Sequence, residues 1–150
     1  MNKADKYISI MPQVEQLISD ECDDIANMAN VVALLHEEFR FLWTGFYRVV
    51  DNQLLLGPFQ GPVACTRIQK GKGVCGTAWQ QQQTIVVLDV HQFSGHIACS
   101  SLSNSEIVVP IIKNSQVVAV LDIDSREYGC FDETDKYYLE KVAEILSKRL

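Results

Sequence analysis

The stretch 106–124, EIVVPIIKNSQVVAVLDID, decides the fold. Two β-branched, apolar runs, EIVVPII and QVVAVLDID, flank the polar turn KNSQ, the pattern of a β-hairpin. Side chains alternate across a strand, so Val118, Val120, Asp122 and Asp124 share one side, and Glu106 shares a side with Val108 and Pro110. An apolar face that turns acidic at its end is what a sheet presents at the rim of a pocket. Whether Glu106 meets the two aspartates depends on register. A regular two-residue turn at Asn114-Ser115 puts Glu106 opposite Ile123, on the wrong face. An odd loop or a bulge puts it opposite Asp122, and the bulged register is the expectation.

Further elements extend from this hairpin. Residues 1–40 read as helical: ADKYISIMPQVEQLISD carries Tyr7, Ile10, Met11, Val14, Leu17 and Ile18 at helix spacing, with Pro12 marking a kink or a first turn. Asp23 or Asp24 can cap a second helix over DIANMANVVALLHEEFR. The period then changes in LWTGFYRVVDNQLLLGPFQ, a hairpin turning at Asp51-Asn52. ACTRIQKGKG reads as a strand ending in a glycine loop, VCGTAWQQQ as a short helix, and TIVVLDV as a short buried strand. HQFSGHIACSSLSN is a long irregular loop of the kind that carries function. FDETDKYYLEKVAEILSKRL is an amphipathic helix capped by Asp132, acidic in its first turn and basic in its last. The expected fold class is therefore α+β, one domain over 1–150. It has a helical segment 1–40, a mostly antiparallel sheet with site loops over 41–130, and a C-terminal helix over 131–150.

Composition narrows the function classes. The chain has 150 residues, 47% of them hydrophobic and 21% charged, the balance of a globular domain. A net charge of −6 with no Lys/Arg cluster argues against nucleic acid; Arg67, Lys70 and Lys72 read as a solvated turn. No run approaches the ~18 apolar residues of a membrane helix, and the N-terminus lacks the apolar core of a signal peptide. Five cysteines, an odd number, point to a reducing compartment, hence the cytoplasm, rather than a disulfide framework. No metal and no cofactor are expected, because His96 and Cys99 have zinc spacing but no matching second pair.

The candidate chemistry lies in carboxylates and thiols. Glu106, Asp122 and Asp124 converging on one pocket would repel one another, raise at least one pKa unless a cation enters, and suit an ammonium group; a hard metal ion is the alternative, for which D-x-D alone is weak evidence. Cys22, on an amphipathic helix, and Cys130, at a helix entry, read as small buried hydrophobes. Cys65, Cys75 and Cys99 lie beside glycines or in loop-like sequence, where one thiol can attack and another resolve the product. Trp43 and Tyr47 share a strand face, as core or as the wall of an apolar pocket. His91 and His96 flank Gly95, as loop hydrogen-bonding groups or as a general acid.

Three segments, GFYRVVDNQLLLGPFQGPVACTRIQKGKGVCGTAW, VVLDVHQFSGHIACSSLSNSEIVVPI and VLDIDS, together resemble the free methionine-(R)-sulfoxide reductases, which are built on a GAF domain. The resemblance runs from Trp43 to Phe131 and implies a GAF-like sheet flanked by helices, with a homodimer left open. It implies Cys99 of GHIAC as nucleophile, Cys65 as resolving thiol and Cys75 as a third thiol able to take part. Glu106, Asp122 and Asp124 become the ligand-binding carboxylates, and Trp43 closes over the substrate methyl group with Tyr47 beside it. The implied reaction converts free methionine-(R)-sulfoxide to methionine through a Cys99 sulfenic acid and a disulfide reopened by thioredoxin. The family often has Asp-Gly where this chain has Asn114-Ser115. The competing expectation is a non-catalytic GAF sensor module, which would need no pairing of Cys99 with Cys65 and is usually fused to an output domain.

Overall fold

A computed structural model describes residues 1–96 and 100–150. Four helices, α1 (Lys3–Ile18), α2 (Asp24–Phe39), α3 (Gly73–Gln81) and α4 (Glu133–Ser147), accompany six strands. The strands are β1 (Trp43–Val50), β2 (Gln53–Gln60), β3 (Arg67–Ile68), β4 (Ile85–Val87), β5 (Ser105–Lys113) and β6 (Gln116–Ser125). They form one sheet in the order β3-β2-β1-β6-β5-β4, every neighbouring pair antiparallel. The expected α+β class and the positions of the long elements hold. β3 is only two residues long, and β4 is a half-buried edge strand rather than a buried one.

Local chemistry places the helix ends. The Asn2 side chain accepts from the Asp5 amide, the Asp23 side chain from the Ala26 amide, and Asp132 and Asp135 form a reciprocal capping box at α4. Pro12 sits inside α1 rather than in its first turn, so that helix gives up one main-chain hydrogen bond. The last turn of α4 carries no basic residue; Lys148 and Arg149 lie just beyond it. Both hairpin turns use non-glycine residues at positive φ, Asp51 and Asn52 at 51° and 61°, Asn114 and Ser115 at 53° and 65°. That is type I′ geometry, which matches the twist of the strands it joins. Cys22 does not lie on a helix: it is exposed in the connection between α1 and α2, where the Glu21 carboxylate accepts from its amide.

The sheet has two unlike faces. One packs against α1, α2 and α4 through Phe46, Ile107, Val109, Ile111, Ala119, Leu121 and Ile123. The other carries Trp43, Tyr47, Val108, Val117 and Val120 and is covered by α3 and the loops beside it. The β5–β6 register decides what else this second face holds. The hairpin closes on Asn114-Ser115 with Lys113 opposite Gln116, then shifts between Ile111 and Ile112 so that Ile111 pairs with Ala119. The extra residue is Val118, on β6, and it turns to the helix-covered side.

Candidate active site

The bulge sets the site. Because the extra residue is on β6, Glu106 pairs with Asp124, not with Asp122 as the sequence reading expected, and Asp122 pairs with Val108. An insertion on β5 would have given the other partner; the need for a bulge is legible in the sequence, but the strand that carries it is not. Two rows of residues follow across the sheet. Val87, Glu106, Asp124 and Trp43 are successive partners in the first, and Ile85, Val108, Asp122, Gly45 and Phe59 in the second. The three carboxylates thus lie on one face of two adjacent strands, with an indole at the end of their row.

The indole is fixed from several sides. Trp43 Nε1 donates to the Pro62 carbonyl at 3.0 Å, and the ring stacks on Phe59 and Tyr47 with centroids 5.2 and 6.0 Å away. It lies along its own strand over Gly45, where a Cβ would come within 2.6 Å of the ring and would also overlap Phe59. Gly45 is therefore part of the wall that Trp43 builds, a residue the sequence reading passed over. Tyr47 is buried, and its hydroxyl donates to the Cys65 carbonyl at 2.8 Å. Burial, and then the neighbouring carboxylates, push its phenol well above the ordinary value.

α3 brings the third thiol to the carboxylates. Its Gly76 packs on the preceding turn so closely that a Cβ would lie 2.5 Å from the Gln69 carbonyl. That contact seats Cys75 with Sγ and oxygens of Glu106 and Asp122 all within 4.8 Å of one another. Burial first, and then the charges of Asp122 and Glu106, push the Cys75 thiol up, so it stays protonated and hydrogen-bonds Asp122. Burial likewise raises the carboxyls. Glu106 is pushed up to about 8 by burial and by Asp124; Asp122 rises through burial and Glu106, and Asp124 through burial and Asp122. Ser103 donates to Asp124 at 2.7 Å, which favours that carboxylate, and is a site residue with no motif to announce it. When all three groups are ionised, Asp122 Oδ1 is a buried acceptor with no donor.

The two histidines separate. His91 pairs with Asp89 at 2.9 Å in an exposed one-turn 3-10 helix, Val90–Gln92. His96 faces the pocket, its Nε2 3.7 Å from Glu106 Oε1, and burial lowers its pKa. His96, Leu42, Val63, Lys72 and Ser100 line one pocket together with the aromatic, thiol and carboxyl groups described above. Of the expected site residues, Trp43, Tyr47, Cys75, Glu106, Asp122 and Asp124 line it. Cys65 lies beside it, after the lining residues Val63 and Ala64, and is not a free thiol, whereas Cys22, Cys75 and Cys130 are. Cys99, the expected nucleophile, lies outside the described residues; His96 and Ser100, on either side of that gap, both line the pocket. No described helix is long and apolar enough to cross a membrane.

Known proteins share this architecture and sequence. The GAF domain family model matches residues 23–149. The free methionine-R-sulfoxide reductase of Escherichia coli is 44% identical over 151 residues, covering 100% of this chain and 92% of that protein. GAF domain-containing protein A of Dictyostelium discoideum is 54% identical over 146 residues, 97% of this chain and 92% of its own length. The crystal structure of free methionine-R-sulfoxide reductase from Neisseria meningitidis, in complex with its substrate, superposes with a TM-score of 0.98 at 51% identity. It covers 99% of this chain and 90% of that one.

Proposed function

The chain belongs to the free methionine-R-sulfoxide reductases, a family of GAF-domain proteins, and we propose from that membership that it reduces free methionine-(R)-sulfoxide to methionine. The observation that carries the proposal is the cluster of three carboxyls, Glu106, Asp122 and Asp124, on one face of β5 and β6, with the Trp43 indole at the end of the Glu106–Asp124 row. A free amino acid brings an ammonium group for the carboxylates and an apolar S-methyl end for the indole. A methionine sulfoxide inside a peptide has no ammonium and would leave the acids unpaired, a cost of several kcal/mol.

The proposed chemistry assigns Cys99 as the nucleophile. Its thiolate attacks the sulfoxide sulfur while a protonated carboxyl supplies a proton to the oxygen, for which Glu106, pushed up to about 8, is suited at neutral pH. Methionine leaves and Cys99 becomes a sulfenic acid. Cys65 condenses with it, releasing water and forming a disulfide, which a thioredoxin-type dithiol reopens. Support comes from Cys65, which lies beside the pocket and carries no free thiol. Cys75, protonated and hydrogen-bonded to Asp122, takes part only as a third thiol after those two. Nearby carboxylates oppose a thiolate, so the substrate's ammonium, by neutralising part of their field, activates Cys99 on binding.

The test incubates the protein with dithiothreitol and each epimer of free methionine sulfoxide, an N-acetylated sample, and a Cys99→Ser variant. Methionine should form from the free (R) epimer and not with the variant. Equal turnover by Cys99→Ser, or turnover of the blocked substrate alone, overturns the reading. Tight binding without turnover would identify the sensor module instead.

A further inference from the structure

We propose that Cys75, Glu106 and Asp122 form a binding site for one divalent ion of the zinc class, Zn2+ or Cd2+. The three donors come from α3, β5 and β6, which explains why no short-spacing metal motif appears in the sequence. Their ligand atoms already lie within 4.8 Å of one another, and each residue is at most 6% exposed. Around a tetrahedral ion with bonds of ~2.0–2.3 Å, neighbouring ligands sit about 3.3–3.6 Å apart. The donors therefore need to contract by about 1 Å, within the reach of side-chain rotation.

A second observation points to a missing cation. Asp122 Oδ1 is buried with no hydrogen-bond partner among the described residues, in a cluster whose basic neighbour is the His96 imidazole, 3.7 Å from Glu106 and not in contact with Asp122 Oδ1. The donor set selects the ion. One thiolate with two carboxylates suits a borderline cation, whereas calcium and magnesium take oxygen donors in larger numbers. Coordination forms one metal–sulfur bond and releases the thiol proton of Cys75 to solvent. The fourth position is left to a water molecule or to His96, whose Nε2 stands 3.7 Å from Glu106. An ion here occupies the carboxylates that an ammonium would need, so it excludes a free amino acid from the pocket. That exclusion rests on the function proposed above; the metal site itself does not.

The experiment uses the full chain oxidised without substrate, so that Cys65 carries no free thiol, stripped with a chelator and desalted. It is titrated with Cd2+ while the sulfur-to-cadmium charge-transfer absorption is followed. One saturable equivalent is expected, lost in Cys75→Ser, weakened at least tenfold in both Glu106→Gln and Asp122→Asn, and unchanged in Cys22→Ser, which removes the exposed thiol. Far-ultraviolet circular dichroism shows that each variant is folded. Absorption that persists in Cys75→Ser, disappears in Cys22→Ser, or is as strong in both carboxylate variants as in the parent overturns the site. Free methionine should raise the cadmium midpoint while N-acetylmethionine does not; cadmium binding indifferent to free methionine overturns the exclusion alone. Failure to reduce any methionine sulfoxide would remove the proposed function and leave the cadmium result standing.

Discussion

The two faces of strand β6 are built from alternate residues of one ten-residue segment and do opposite things. Ala119, Leu121 and Ile123 sit fully buried among helix side chains, in a core that is almost wholly apolar. Val120, Asp122 and Asp124 point the other way, and two of these three are acids, each with a raised pKa. Burying such groups together costs free energy, and the stability of the domain has to come from the first face. The second face can then keep an electrostatic deficit that a cationic ligand relieves. A domain selected for stability alone would have filled that face with valine.

The largest expected effect breaks the first face. Leu121→Ala removes a fully buried side chain from the helix-packed core and should destabilise the fold by about 3–5 kcal/mol. A urea midpoint measures it. Turnover per folded molecule should be unchanged, because the alternation of the strand keeps Leu121 off the pocket.

Asp122→Asn breaks the second face and should do the reverse. It removes one of three mutually repelling carboxyls, so ligand-free stability holds or rises. Affinity for free methionine should fall about 100-fold, roughly 3 kcal/mol, as when one member of a buried charge pair is lost. Calorimetric titration and a thermal melt on one sample distinguish the two signs. A variant that is both less stable and unimpaired in binding would contradict the division between the faces.

Acidity sharpens the same comparison. Glu106 takes its proton near pH 8 when folded and near its ordinary 4.5 when unfolded. Between those values the folded chain holds this extra proton, so the contribution of Glu106 to stability is greatest below about pH 4.5 and is lost as pH rises through 8. One group contributes a slope of at most about 1.4 kcal/mol per pH unit. Denaturant titrations of ligand-free, chelator-treated protein across this window should show the decline. Glu106→Gln should make it shallower. The same slope in Glu106→Gln as in the parent would remove Glu106 from the account.

How much of this was legible in the sequence follows from the range of each interaction. The long elements were, because hydrophobic period and capping residues such as Asp23 and Asp132 act within a few positions. The acid face was, because alternation is a local rule. The partner of Glu106 was not: a bulge on β6 and one on β5 shift the register in opposite directions, and the choice depends on how Val118 packs against the helices. Cys75 beside Asp122 was not either, since it depends on α3 docking through Gly76. Ser103 carries no motif; its role appears only once Asp124 lies beside it.

The smallest expected effect tests the seam between pocket wall and thiol. Tyr47 belongs to the wall by its ring and to Cys65 by its hydroxyl, which donates to the Cys65 carbonyl at 2.8 Å. Tyr47→Phe keeps the ring and its stacking on Trp43 and deletes only that donor. Stability should fall by about 1 kcal/mol, the usual loss for one hydrogen bond. If the ring alone serves the ligand, the dissociation constant of free methionine stays within about twofold, because 1 kcal/mol at a distant bond reaches the ligand only in part. The carbonyl of Cys65 loses its anchor, so closure of the disulfide should slow severalfold relative to methionine release, as measured by quenched-flow thiol counting in a single turnover. Weakened binding with unaltered closure would assign the hydroxyl to the ligand rather than to the thiol segment.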